Sequence, residues 1–203
     1  MASPPSFYRF TDLLAPGLLI AWMAALVVGL YGGLVLAPAD YQQGEAFRII
    51  YVHVPAAWLS LFGYVFMAVA AAIALIWRMK LAECVMVAAA PVGASFTALA
   101  LITGMLWGKP MWGTYWTWDA RLTSELVLLF LYLGVIALGQ AMADPRAGAR
   151  AAALLAVAGV INVPIVHYSV EWWNSLHQGA TVTKFDKPSM APERLWPLLV
   201  CAL

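Results

Sequence analysis

The sequence predicts an all-α polytopic membrane bundle of six transmembrane helices, with the sixth incomplete and a tryptophan-rich loop between the third and fourth. Three observations carry this. Hydrophobic residues make up 64% of the 203-residue chain and charged residues only 10%, where soluble domains carry roughly 25% charged residues. Apolar runs recur at about the 20 residues that a helix needs to cross the bilayer core. Four of the ten tryptophans fall within residues 107–125, WGKPMWGTYWTWDARLTSE, the longest polar-tolerant interval in the middle of the chain.

The spans are expected at about 16–37, 54–77, 84–106, 122–143 and 151–168, with an incomplete sixth at 194–203, all in one integral membrane domain over 1–203. The last run is about half the length of a span, so the natural protein is expected to continue beyond it. The opening residues lack the short cleavable pattern of a secretory signal, so the first apolar run is read as a retained span. Pro16 and Gly17 open that span and Pro38 closes it. Pro55 sits in the opening turn of the second, where a missing N–H costs little. Pro91 and Pro164 fall inside the third and fifth, where neighbours must satisfy the freed carbonyls. Alanines at 70–72, 88–90 and 151–153 allow close helix packing.

Lys and Arg set the orientation. Arg9, Arg78, Lys80, Arg146 and Arg150 crowd the short loops on the N-terminal side. Arg48, Lys109, Arg121, Lys184, Lys187 and Arg194 are spread over longer loops on the other. The N-terminus is therefore expected inside. Span parity is independent of that choice. His53 lies just before span two, the aromatic segment follows span three and His177 follows span five. All three share one side of the membrane, the outer side in this orientation.

Two imidazoles and a bed of rings suit haem. The macrocycle is flat and apolar, its iron takes axial imidazole, and Arg121 or Arg48 can meet its propionates with paired donors. Gly108, Pro110 and Gly113 let the backbone turn beneath a ligand. Each piece also has a structural reading. Interfacial tryptophans form anchoring belts. Asp119 is placed to cap the fourth helix, and Arg121 and Glu125, at i and i+4, to pair with each other. His167, one turn before Glu171, is read as packing or pairing locally. Trp172 and Trp173 either extend the aromatic wall or anchor their loop.

Several classes are excluded. A net charge of +1 with no basic stripe argues against nucleic acid. Cys84 and Cys201 form no CxxC pattern. No phosphate-cradling glycine loop, HExxH pattern or identifiable nucleophile–base pair appears, Ser124 and Ser169 included, so the chain is read as non-enzymatic.

The segment WGTYWTWDARLTSE at 112–125, with VHVPAAW at 52–58 and VEWWNSLHQG at 170–179, resembles the WWD family of haem-handling membrane proteins, and within it the haem exporter protein C (CcmC) family of cytochrome c maturation system I. The resemblance runs from about Arg48 to the end of the chain. It implies six transmembrane helices in the bacterial inner membrane, with a haem site facing the periplasm. It implies His53 and His177 as axial ligands of a transiently and non-covalently bound haem b. It places the haem platform at Trp107, Trp112, Tyr115, Trp116, Trp118, Asp119 and Arg121. It also implies presentation of haem to the periplasmic chaperone CcmE, and association with the ATP-driven CcmA and CcmB and the small subunit CcmD. Tyr115 stands where the family pattern often has another tryptophan. Two other readings stay open. One is a bis-histidine electron-transfer cytochrome, which would hold haem between helices within the bilayer. The other is a permease, which needs a polar route through the spans, where Ser95, Thr97, Thr103 and Asn162 are the polar groups and none is charged.

Overall fold

The computed structural model describes residues 4–177, 179, 182 and 187–203. They form α1 (Pro4–Tyr31), α2 (Ile50–Trp77), α3 (Lys80–Trp112), α4 (Ala120–Ala141), α5 (Pro145–Gly159), α6 (Asn162–Trp172) and α7 (Pro192–Cys201). A π-helical turn, Gly32–Leu36, extends α1, and a 3₁₀ turn, Glu45–Ile49, leads into α2. Among the described residues, five segments are long and apolar enough to cross a membrane: Pro5–Leu36, Glu45–Trp77, Lys80–Trp112, Ala120–Ala141 and Pro145–Trp172. The all-α polytopic prediction holds for these five. The chain divides into two compact units, residues 1–51 with 190–203, and residues 52–189.

In the first unit, α1 starts well before the expected residue 16 and carries Pro16 in its interior. A proline removes one N–H, and the helix upstream of it is otherwise uninterrupted, with the Thr11 hydroxyl bonded to the Tyr8 carbonyl at 2.9 Å. The exit follows expectation: Ala37, the residue before Pro38, is extended at φ −61°, ψ 136°, as the proline ring demands. Three glycines set the packing. A Cβ at Gly29 would lie 2.6 Å from Cys201 Sγ, at Gly32 2.3 Å from the Trp196 ring, and at Gly33 2.3 Å from the Tyr51 ring. Thus α7 and the start of α2 seat large groups where α1 has none. Arg194 Nη1 donates to Asp40 Oδ2 at 2.8 Å and fastens α7 to the loop after α1. Burial opposes the Asp40 charge, but the N–H groups of Gln43 and Gln42 and the Arg194 guanidinium hold its carboxyl below the ordinary range.

The second unit carries the candidate site. Its core is built on Tyr64, Met67, Met86, Leu128 and Tyr132, all fully buried. Tyr132 of α4 lies against α3 at Gly93, where a Cβ would fall 2.2 Å from the ring, and its hydroxyl donates to the Ser60 carbonyl of α2 at 2.8 Å. The Ser60 hydroxyl donates to Glu125 Oε1 at 2.8 Å. One side chain therefore ties three helices together, and two polar groups next to it are satisfied within the core.

The expected fifth span, 151–168, is two helices with a break at residues 160–161. Pro164 disfavours continuous α-helix through the preceding residues. It is accommodated in the first turn of α6, where its missing N–H is no loss. The chain tightens before it, Val163 N–H donating to the Val160 carbonyl at 3.0 Å. Asn162 Nδ2 then donates to the Ser124 carbonyl at 2.9 Å, fixing the start of α6 on α4.

Replacing Gly93 by Ala is expected to cost about 1–3 kcal/mol, the usual effect of overpacking. Gly139→Ala, where nothing lies within 4 Å, is expected to be neutral or slightly stabilising. Thermal unfolding of the two variants in the same detergent tests this.

Candidate haem site

At the start of α2, the end of α3, the start of α4 and the end of α6, the structure gathers both expected histidines and part of the aromatic segment. His53 lies in the first turn of α2, not before the span as expected, because the helix already begins at Ile50. Its imidazole rests on α3. Nδ1 is 3.0 Å from both the Ala100 carbonyl and Thr103 Oγ1. The Thr103 hydroxyl spends its own proton on the Leu99 carbonyl at 2.6 Å. Both neighbours of Nδ1 are thus acceptors, so Nδ1 carries the proton and Nε2 keeps its lone pair. A Cβ at Gly104 would sit 3.1 Å from His53 Cε1. Trp107, one turn on, meets the imidazole edge-on at 5.7 Å between centroids.

The aromatic segment is mostly helix ends. Residues 107–112 belong to α3 and 120–125 to α4, leaving 113–119 as the loop. Gly113, at φ 78°, ends α3 in the left-handed conformation that glycine adopts freely. Trp112 folds back over Gly108, where a Cβ would lie 2.9 Å from its ring, and meets His177 edge-on at 4.7 Å.

His177 is held by Asp119, whose two oxygens do different things. Oδ1 accepts from Leu122 N–H at 2.9 Å and caps α4. Oδ2 accepts from His177 Nδ1 at 2.9 Å and from the Ser175 hydroxyl at 2.6 Å. His177 N–H also donates to Ser175 Oγ at 3.1 Å. Among the described residues neither histidine has a partner at Nε2. Burial works against the Asp119 charge. The Ser175 and Leu122 hydrogen bonds and the neighbouring His177 outweigh it and hold the carboxyl below its ordinary range. Burial is also the main influence on His177 and lowers it. Asp119 pulls it upward, Arg121 adds to the lowering, and the balance lies below the ordinary 6.5. The ring is therefore neutral at pH 7, the form that offers a lone pair.

The cations separate. Arg48 belongs to the first unit and is used there: Nη1 donates to the Gly33 and Ala37 carbonyls at 2.9 Å each, and Nε to Glu45. It caps the π-helical turn, which removes the expectation that it serves a ligand. The Arg121 guanidinium makes no hydrogen bond to any described residue. Arg121 and Glu125 interact electrostatically, but Glu125 takes its hydrogen bond from Ser60 of α2 and no direct ion pair joins the two among the described residues. Glu125 is an ionisable group inside a span, 7% exposed, and joins Ser95, Thr97, Thr103 and Asn162 among the polar groups of the spans, which corrects the expectation that none of them is ionisable.

The remaining rings fall elsewhere. Trp116 and Trp118, edge-to-face at 5.3 Å, border an apolar groove of about 460 Å³ that is also lined by Ala98, Leu101, Ile102, Met105, Leu126 and Leu129. With 3.6 residues per turn, positions 98, 101, 102 and 105 of α3 lie on a different face from 100, 103, 104 and 107, which serve His53. Trp118 is 77% and Tyr115 54% exposed, and Tyr115 lies under Lys109 Nζ at 5.2 Å. Trp116 Nε1 and Thr117 Oγ1 are buried without a hydrogen-bond partner among the described residues. His167 packs edge-on against Tyr168 at 4.7 Å, and Tyr168 stacks on Trp172 at 5.4 Å. Trp172 and Trp173 are both exposed. Lys184, a loop cation in the orientation reading, lies outside the described residues.

The supporting groups Ala100, Thr103, Gly104 and Ser175 escaped sequence reasoning. The first three form, with Trp107, an i, i+3, i+4, i+7 stripe that was there to be read.

Comparison with known proteins identifies the family. Residues 1–203 match the family described as Heme exporter protein C, CcmC. The chain is 54% identical over 200 residues to Heme exporter protein C of Haemophilus influenzae, covering 98% of this chain and 81% of the relative. It is 55% identical over 199 residues to that of Escherichia coli K12, with coverages of 98% and 81%. It is 51% identical over 203 residues to that of Bradyrhizobium diazoefficiens, with coverages of 100% and 77%.

Asp119→Asn removes the one influence that raises His177 and leaves its burial in place. The imidazole is then expected to titrate still further below 6.5, as read by NMR of ¹⁵N-labelled histidine in nanodiscs. In the unaltered protein the sign is that of a depressed histidine. Its contribution to stability is complete above 6.5 and is lost as pH falls from there through the folded value.

Proposed function

Because the chain belongs to the Heme exporter protein C family, whose members are haem-handling membrane proteins of cytochrome c maturation, we propose that it holds haem b transiently between His53 and His177 and presents it to the periplasmic chaperone CcmE. The observation that carries this reading is the state of the two imidazoles. At one end of one helical unit, each has Nδ1 engaged by a fixed acceptor and Nε2 uncommitted. A ring prepared to ligate a metal is held in this way, its second nitrogen bonded to a carbonyl or carboxylate that fixes tautomer and orientation.

The surrounding groups fit the same cargo. Trp107 and Trp112 each meet one imidazole edge-on and offer apolar wall to a flat ring system. The Arg121 guanidinium has no hydrogen-bond partner among the described residues and is suited to a propionate. Trp116 Nε1 and Thr117 Oγ1 are buried donors awaiting acceptors. Tyr115 and Trp118, being exposed, are assigned to the part of the platform open to CcmE. Asp119 acts through His177. Bound haem would be the cargo that CcmE receives; this chain would supply its two imidazoles and their orientation. We read α7 as the opening of a sixth span and the loop 113–119 as facing the periplasm, with the N-terminus in the cytoplasm and the protein in the inner membrane. CcmA, CcmB and CcmD are the partners the reading implies.

The rival readings fare less well on the same grounds. His53 sits in the first turn of α2 and His177 beyond the end of α6, whereas an intramembrane electron-transfer cytochrome would want both within the bilayer. A permease would need polar groups along a path. Here Ser95, Thr97, Thr103 and Asn162 all bond backbone carbonyls, and Glu125 is closed off by Ser60.

His53→Ala and His177→Ala are each expected to deplete the Soret absorbance of the purified protein, whereas His167→Ala is expected to leave it unchanged. Full haem content in both of the first two variants would overturn the axial assignment.

A further inference from the structure

The two imidazoles are held by acceptors of different kind. His177 Nδ1 donates to a carboxylate oxygen, Asp119 Oδ2, at 2.9 Å. That carboxylate is fixed by three donors in all: His177, the Ser175 hydroxyl at 2.6 Å, and Leu122 N–H at 2.9 Å. His53 Nδ1 donates to a neutral peptide carbonyl and a neutral hydroxyl, those of Ala100 and Thr103, each at 3.0 Å. A hydrogen bond to an anionic acceptor is roughly twice as strong as one between neutral groups. It leaves more electron density on the imidazole and makes the far nitrogen the better donor to a metal, which is why outer-shell carboxylates typically change metal affinity by about 10–100-fold.

We propose that His53 and His177 are unequal ligands, with Asp119 a positioning residue that makes His177 the strong one and His53 the one that lets go first. This rests on the bis-histidine reading above and adds an order to it. The hand-over opens on the His53 face, beside Trp107, while His177 keeps its hold. His177 adds a backbone N–H bond to Ser175 Oγ at 3.1 Å, and His53 is carried by α2 and packs against Gly104 and Trp107; the inequality rests on the charge of the acceptor at Nδ1.

The test uses the full-length protein loaded with haem, comparing Asp119→Asn with Thr103→Val. Asn caps a helix as well as Asp does, so the first variant removes the charge and keeps the fold, which circular dichroism checks. Transfer of haem to excess apomyoglobin is expected to speed up by about 10–100-fold in Asp119→Asn, with a more positive haem reduction potential. In Thr103→Val it stays within about threefold of the unaltered protein, since the Ala100 carbonyl still accepts the imidazole proton. Carbon monoxide, which displaces the weaker axial ligand of reduced haem, should give an adduct whose iron–carbonyl stretch matches that of His53→Ala reconstituted with haem, and not that of His177→Ala. Equal effects of the two substitutions, a larger effect of Thr103→Val, or a carbonyl adduct matching His177→Ala would overturn the order of release. If His53→Ala and His177→Ala both keep six-coordinate haem, the bis-histidine reading itself fails, a separate result.

Discussion

The site depends on one carboxylate. Asp119 closes the first turn of α4 with one oxygen and holds His177 with the other. The cap is a local device, available to any Asp placed before an apolar helical run. The second oxygen makes it a long-range one, reaching 58 positions along the chain to His177, beyond the end of α6. Remove the carboxylate and the loop loses its bond to the bundle, while His177 loses the acceptor that fixes its tautomer. The helix start and the candidate ligand share one group, and this limits what that position tolerates.

The second half of the arrangement is made on α3. A single helix presents a carbonyl, a hydroxyl, a glycine and an indole to His53 on one face, and on another face lines a groove bordered by Trp116 and Trp118. The tryptophan-rich segment is therefore two sets of rings. Trp107 and Trp112 belong with the histidines. Trp116 and Trp118 belong to the apolar groove, with Trp118 turned outward.

Much of this was legible in the sequence. Composition and run length identify the five spans, and counting them puts His53, the aromatic segment and His177 on one side, where the structure brings them together. The motif resemblance points to the haem-handling family, which the comparisons show. What the sequence did not disclose follows from geometry that spacing cannot encode. The i, i+4 rule admits an Arg121–Glu125 pair, but a serine on another helix competes for Glu125 and takes it. Arg48 looks like a free loop cation until Gly33 and Ala37 are seen to offer it carbonyls. Pro164 is expected inside one continuous span; the chain instead divides there into two helices. The acceptors of the two imidazoles lie 47 to 58 positions away in the chain, beyond the reach of any local pattern.

That break has a consequence for accuracy. A rigid span running from Pro145 to Trp172 would transmit any angular error at its start to the loop at its far end, magnified by its length. Here the count restarts at Asn162, which is gauged against the Ser124 carbonyl, and the loop beyond is gauged again at Asp119. Both reference points are on the first two turns of α4. The position of the His177 imidazole is thus toleranced from one short datum rather than from the sum of a long dimension chain, and drift in α5 is absorbed before it reaches the ring.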